Sequence, residues 1–284
     1  MRSIRLDAHS FGRGVDGDSL PAMTPPLFSL EGRTALITGA GSPTGIGFAS
    51  ARMLASLGAR VMVTSTTDRI HQRVSELRSQ EFEAFGIFGD LTDEQTVERI
   101  TAESVSALGS VDILVNNAGM TSVSQSGDDE AGEVATLPYS RWRASIERNL
   151  DTAFLMSRAV IPHMRQAGWG RIISVGSVTG PVMAIRQDPA YAASKAAIVG
   201  LTRALAVDHA GNGITANVVA PGWIETGSQT PNERDEGLAT PIGRSASPDE
   251  VASAVAWLAT PGAAYITGQC LVVDGGNSIA EERS

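Results

Sequence analysis

From Arg33 onward the chain alternates short runs of apolar, largely β-branched residues with longer segments in which apolar residues recur every three or four positions. The runs are TALIT (34–38), RVMVTS (60–65), FGIF (85–88), DILVNN (112–117), RIISV (171–175), ITANVV (214–219) and CLVV (270–273). A strand with one wet face alternates apolar and polar residues, whereas continuous apolar runs suit parallel strands covered on both sides. With helices between the runs, the pattern predicts a single α/β domain. Its architecture is a doubly wound, seven-stranded parallel sheet flanked by helices on both faces, with right-handed crossovers.

Two helix starts are legible in detail. Thr92 with Gln95, and Ser247 with Glu250 behind Pro248, fit the capping box, in which a hydroxyl and a carboxylate or amide satisfy orphan helix amides. After Ser247, the residues Val251, Val255 and Leu258 form an apolar stripe turned toward a sheet. No repeat or composition shift marks a second domain. Residues 1–28 carry Gly12, Gly14, Gly17, Pro21, Pro25 and Pro26 without apolar periodicity and read as a flexible arm, leaving 29–284 as the domain.

Composition narrows the function classes. With 284 residues, 42% of them hydrophobic and 19% charged, the chain has enough apolar surface for a continuous core. A net charge of −9 disfavours nucleic acid, whose phosphates need clustered cations. No apolar stretch approaches the roughly 20 residues that span a bilayer, and the N-terminus lacks a secretory pattern. A cytoplasmic location without membrane or nucleic-acid partners is therefore expected. The single cysteine, Cys270, lies in an apolar run and excludes an internal disulfide or a multi-cysteine metal site, so no metal is expected.

The first strand runs into TGAGSPTGIG, Thr38 to Gly47, ahead of a helical segment. Glycines at such a turn allow a tight bend and close backbone approach, and the helix start behind them offers free amides to a pyrophosphate. The strict G-x-G-x-x-G fingerprint fails because Thr44 stands at its third glycine. On this loop alone, a nucleotide cradle and an ordinary turn both stay open.

YAASK, residues 191 to 195, contains the only lysine; the other 21 of the 22 lysine and arginine residues are arginine. Arginine substitutes for lysine where a solvated charge suffices, but not where a compact charge must reach past another side chain or exchange a proton. Residues four apart share a helix face, about 5 to 6 Å apart at Cβ, so Lys195 lies under the phenol of Tyr191. A phenol titrates near 10, and a neighbouring ammonium is expected to lower that value and make the pair a usable acid or base. The competing reading packs Tyr191 in the core and leaves Lys195 to solvent. Ser177, at the end of an apolar strand 14 positions before Tyr191, and Asn149 upstream favour the chemical reading.

Taken in order, these motifs resemble the short-chain dehydrogenase/reductase family, and are similar to those of its 3-oxoacyl carrier-protein reductases and carbonyl reductases. They are the TGxxxGxG-like loop, NNAG at Asn116–Gly119, Asn149-Leu150, GSVTG around Ser177, YAASK, and PGWIET at 221–226. The likeness spans about residues 30 to 276. Five residues separate Gly39 from Gly45, more than the family pattern has, and the interval from Ser177 to Tyr191 is also slightly long.

The resemblance implies a Rossmann-type dinucleotide-binding and catalytic domain, with a substrate lid over about 223–244. Gly39, Gly41, Ser42, Thr44, Gly45, Ile46 and Gly47 would cradle the pyrophosphate. Ser65 stands where NAD-selecting relatives carry an acid; with Thr66, Thr67 and Arg69 nearby, the charge pattern points to NADP(H) first, with NAD(H) as the alternative. Asp68 is assigned to capping the next helix. Asp90 and Leu91 would flank the adenine, with Asn117, Ala118 and Gly119 beside it. Pro221, Gly222 and Ile224 would border the nicotinamide, and Thr226 would reach its carboxamide. Ser177 would hydrogen-bond the substrate oxygen and Tyr191 would exchange the proton. Lys195 would lower the tyrosine pKa and hold the nicotinamide ribose, and Asn149 would keep a water in a relay. Ser174, the alternative serine, is assigned to packing.

Specificity is expected from PVMAIRQDPA, before Tyr191, and from the lid. Trp223, Met183 and Ile185 either wall the substrate or fill the core. The acidic insertion SGDDEAGE, 126–133, reads as a solvated loop. Three functions follow. The first is an NADP(H)-linked reductase or dehydrogenase for a small, largely apolar ketone or secondary alcohol. The second is a 3-oxoacyl carrier-protein reductase, whose acyl carrier protein partner could meet a basic run of Arg141, Arg143, Arg148, Arg158, Arg165 and Arg171. The third is a non-catalytic dinucleotide-binding regulator, against which the complete Ser, Tyr, Lys and Asn set argues. Family members associate through the helices holding Asn149 and Tyr191 and through the last strand, so a homotetramer or homodimer is expected.

Overall fold

The computed structural model describes residues 25–119 and 132–281. Most of the expected arm, 1–24, and residues 126–131 of the acidic insertion lie outside them. All seven predicted runs are strands: β1 Thr34–Ile37, β2 Arg60–Ser65, β3 Ala84–Phe88, β4 Ile113–Asn116, β5 Gly170–Val175, β6 Ile214–Pro221 and β7 Cys270–Val273. They form one parallel sheet in the order β3-β2-β1-β4-β5-β6-β7. The strand order reverses between β1 and β4, which opens a crevice at their carboxyl ends, the usual place for a ligand in this architecture.

Alternate residues of each strand enter opposite cores. Ala35 and Ile37 of β1 pack with α1 (Ile46–Ser56), α2 (Ile70–Arg78) and α8 (Pro248–Ala259), where Val251, Val255 and Leu258 are buried as their spacing predicts. Leu36 packs instead with α3 (Glu94–Leu108) and α5 (Thr152–Ala167). Burial on both faces is what the unbroken apolar runs encode. The helix α4 (Tyr139–Ile146) joins α5 through a π-helical turn, Glu147–Asp151, and α6 (Pro189–His209) carries the Tyr191 and Lys195 motif.

The helix starts divide. At α8, the Ser247 hydroxyl accepts from the Glu250 amide and the Glu250 carboxylate accepts from the Ser247 amide, as expected. Arg244 also donates two 2.7 Å bonds to Glu250, and these with the Ser247 amide hold its carboxyl down at about 2. At α3 the cap is Asp93, not Thr92: Asp93 accepts from the Thr96 amide at 2.9 Å. The Thr92 hydroxyl is taken by Asp90, which accepts from both its amide and its oxygen in a tight turn. Asp68 does not cap α2, whose first turn has no side-chain cap. The segment 223–244, expected to be a lid, holds a second capping box, unforeseen in the sequence, where Thr230 and Glu233 start α7 (Pro231–Leu238). At the near end of the domain, the Leu27 carbonyl accepts from the Gly262 amide at 2.8 Å.

Ser247→Ala is expected to lower the unfolding free energy by about 1 kcal/mol in urea titrations. Asp93→Ala should lower the urea midpoint while Thr92→Ala leaves it in place; the opposite ranking would return the α3 cap to Thr92.

Candidate active site

The crevice is held together at the end of β1. Thr38, 1% exposed, donates its hydroxyl to the Val115 carbonyl at 3.2 Å and accepts from the Asn117 and Ala118 amides at 3.0 and 2.9 Å. The Asn117 side chain then donates to the carbonyls of Thr38 and Gly39, both at 3.0 Å. Asn117 therefore clamps the glycine loop with its side chain, leaving only its backbone for the adenine contact expected of it. Sequence reasoning assigns Thr38 no role; a hydroxyl at the end of a strand facing NNAG is the signal that marks it.

Two glycines are required by packing. A Cβ on Gly39, whose φ is +68°, would sit 2.8 Å from the Ala118 Cα. A Cβ on Gly41 would meet the Arg69 Nε at 2.7 Å and the Ser65 Cβ at 2.8 Å. The loop leads through Ser42 and Thr44 to Gly45, the N-cap of α1, with Ile46 and Gly47 in its first turn. That helix start has neither a side-chain cap nor an acidic residue, whereas α3, α7 and α8 each have both. Unclaimed amides behind a tightly packed loop are the donor set a pyrophosphate requires.

At the second strand, Ser65 is buried and its hydroxyl closes its own turn, donating to the Thr67 carbonyl at 2.6 Å and accepting from the Thr67 amide. Thr66, Thr67 and Arg69 are exposed, and the Arg69 guanidinium lies against Gly41 with no carboxylate partner among the described residues. Leu91 is buried in the α3 and α5 core, and the Asp90 carboxylate is engaged with Thr92.

Across the crevice, Lys195 is 3% exposed, and its Nζ donates to the Val175 carbonyl at 3.2 Å and lies 5.5 Å from the Tyr191 ring centroid. Ser177 follows β5; its hydroxyl accepts from the Thr179 amide and is hydrogen-bonded to the Tyr191 side chain. Ser174 is buried within β5. Asn149 falls in the π-helical turn and is 1% exposed; its Nδ2 donates to the Ser145 carbonyl and its Oδ1 faces Gly119. A π-turn places one extra residue in a helix and reorients its side chain.

Electrostatics correct one expectation. Tyr191 is pushed up to about 12, first by burial, against the hydrogen bond from Ser177 and with the carboxylates of Asp188 and Glu233 adding to the rise. Burial likewise draws Lys195 down to about 8. Desolvation of the phenolate outweighs an ammonium that is itself buried and bound to a carbonyl. The phenol is thus protonated at neutral pH, set to donate rather than to accept.

Among the residues expected to border a nicotinamide, Pro221 ends β6, and Gly222 donates to the Val273 carbonyl at 3.0 Å. Ile224 bridges to Ala246, and the Thr226 hydroxyl is 2.9 Å from that of Ser228. Trp223 and Met183 are half-buried, while Ile185 is exposed. The basic run does not form one face: Arg171 is buried and stacks on Trp169 at 4.2 Å, while Arg143 and Arg158 pair with Glu147 and Glu94.

A family model described as Enoyl-(Acyl carrier protein) reductase matches residues 39–278. The chain is 40% identical over 252 residues to the 3-oxoacyl-acyl-carrier-protein reductase FabG of Escherichia coli (strain K12), covering 87% of this chain and 98% of that protein. It is 36% identical over 248 residues to the cis-4-hydroxycyclohexanecarboxylate dehydrogenase of Sinomonas cyclohexanicum, covering 86% and 96%. Among solved structures, a 7 alpha-hydroxysteroid dehydrogenase complexed with NADH and 7-oxo glycochenodeoxycholic acid superposes with a TM-score of 0.80 and 34% identity, covering 89% of this chain and 98% of that one.

Burial lowers the Lys195 ammonium from 10.5 to about 8, so above pH 8 the unfolded chain holds this proton more tightly than the folded one. The penalty, up to about 3 kcal/mol, is fully present below pH 8, fades as pH rises from the folded toward the unfolded value, and is gone above the latter. Lys195→Met is expected to be more stable than the parent in urea at pH 7 and to lose that advantage near pH 10.5. A variant less stable than the parent at pH 7 would contradict the penalty.

Proposed function

Because the chain belongs to the short-chain dehydrogenase/reductase family and is an oxidoreductase, we propose that it transfers hydride between NADP(H) and a small ketone or secondary alcohol through Tyr191, Ser177, Lys195 and Asn149. The carrying observation is the buried Lys195 ammonium beneath a phenol that shares a hydrogen bond with Ser177. The dinucleotide, when bound, supplies or accepts the hydride. Ser177 orients the substrate oxygen, and Tyr191 hands its proton to that oxygen as negative charge develops there. Lys195 stabilises the phenolate left behind, and Asn149 holds the water through which a proton from solvent restores the phenol.

For the cofactor, support comes from Arg69, which lies against Gly41 without a carboxylate partner among the described residues, and from a second strand that ends on Ser65 rather than an acid. A 2′-phosphate there would gain a charge-assisted contact with Arg69. NAD(H) is the alternative, since the hydroxysteroid dehydrogenase is described with NADH. The lid comprises about residues 223–244.

The likeness to the E. coli reductase favours a second reading, a 3-oxoacyl carrier-protein thioester as substrate. Against it, three of the six arginines of the basic run are buried or ion-paired: Arg171, Arg143 and Arg158. A ketone and alcohol panel with both cofactors, set beside a 3-oxoacyl carrier-protein, decides between them: a kcat/KM orders of magnitude higher for the thioester selects the second reading. Tight NADPH binding without turnover on any substrate would select a regulator. A homotetramer or homodimer in the cytoplasm completes the proposal; the sheet-edge strand β7 with exposed Val272, and Trp257 on α8, support association. Among the described residues no helix is long and apolar enough to cross a membrane.

Tyr191→Phe is expected to lower kcat by roughly a thousandfold or more while NADPH binding by fluorescence titration stays near that of the parent, because only the exchangeable proton is removed. Arg69→Ala should weaken NADPH by about 10- to 100-fold and NADH hardly at all. Equal losses for the two cofactors would sink the assignment of Arg69.

A further inference from the structure

We propose that Thr44 is a positioning residue that latches the lid to the glycine loop and thereby slows release of the dinucleotide. The inference rests on the NADP(H) reading above and adds to it a link between two separate parts of the site. Thr44 lies in the lengthened interval between Gly39 and Gly45, beside Pro43, and both are exposed. Its Oγ1 accepts a hydrogen bond from the Gly227 amide at 3.0 Å, across 183 residues of sequence. Among the described residues this is the one hydrogen bond between loop 39–45 and segment 223–244.

The contact is shaped on both sides. A Cβ on Gly227 would stand 2.7 Å from the Thr44 hydroxyl, so glycine is what allows the approach. Gly227 is outside the left-handed region, which means its glycine is not needed for backbone conformation. The lid beyond it is tied to itself rather than to the loop. The Gln229 amide donates to the Thr226 carbonyl, the Gln229 side chain donates to Ser245, and the capping box at Thr230 fixes the start of α7. A lid braced in this way moves as a piece, and its hold on the loop passes through Thr44. The Gly45 amide donates to the Ser42 carbonyl at 3.3 Å, and the uncapped amides of α1 begin two residues after Thr44, at Ile46. An anion bound to them therefore lies next to the residue that fastens the lid, and it leaves faster once that fastening is lost.

The test is stopped-flow displacement of NADPH, followed by its fluorescence, in the full chain. Thr44→Val removes the acceptor, and Gly227→Ala crowds it while keeping the hydroxyl. Each is expected to speed release by about 3- to 10-fold, the value of one hydrogen bond, and Thr44→Ser should restore the parent rate. The double variant should release no faster than the faster single one, because both changes break the same bond. Multiplying effects would mean that Thr44 acts on the cofactor alone, and would overturn the latch. Amide hydrogen exchange over 223–230 in the cofactor-free protein tests the same bond without any ligand: Thr44→Val should accelerate it, and unchanged exchange overturns the latch. A parent protein that binds neither NADPH nor NADH would defeat the cofactor reading, while the exchange result would still decide the latch.

Discussion

The hydroxyl of Thr38 sets the geometry on which the rest of the site depends. One oxygen donates to β4 and accepts from two successive amides just beyond it, so the reversal of strand order is closed by three bonds on a fully buried atom. Asn117 extends the same closure to the glycine loop. A polar group this deeply buried is costly if any partner is lost, which makes the crevice rigid at the point where a ligand must be received. The uncapped start of α1 and the packing of Arg69 on Gly41 both follow from that fixed loop.

On the other wall, the governing effect is desolvation. Burial moves the titrations of Tyr191 and Lys195 in opposite directions, the phenol upward and the ammonium downward, and keeps the phenol neutral. A carbonyl acceptor, Val175, holds the ammonium in place without neutralising it. The stored electrostatic tension is relieved only when charge appears near the phenol oxygen, which is the condition of a developing alkoxide in the proposed reaction.

Much of this architecture is legible in the sequence because it is local or periodic. Seven apolar runs give seven strands, and the Ser247 box reads correctly because Pro248 and Glu250 leave it no competitor. What escapes a linear reading depends on competition or on packing. Thr92 loses the cap of α3 because Asp90 captures its hydroxyl and Asp93 offers a stronger acceptor one residue on. The direction of the Tyr191 shift depends on what surrounds the ring, which spacing along a helix cannot report. The π-turn at Asn149 has no composition signal, and the capping box of α7 sits in a segment with little apolar periodicity. Arg171 shows the same limit: its neighbours in sequence suggest a cationic surface, yet it is buried on Trp169.

The seclusion of Lys195 has a chemical corollary. It is the only side-chain primary amine in the chain, and it is enclosed by the fold. Acylating reagents that decorate ordinary proteins at many lysines find no accessible ε-amine on the native surface. Any ε-acylation of this molecule therefore records a moment when this wall of the crevice has opened, making one mass increment a built-in clock for its breathing.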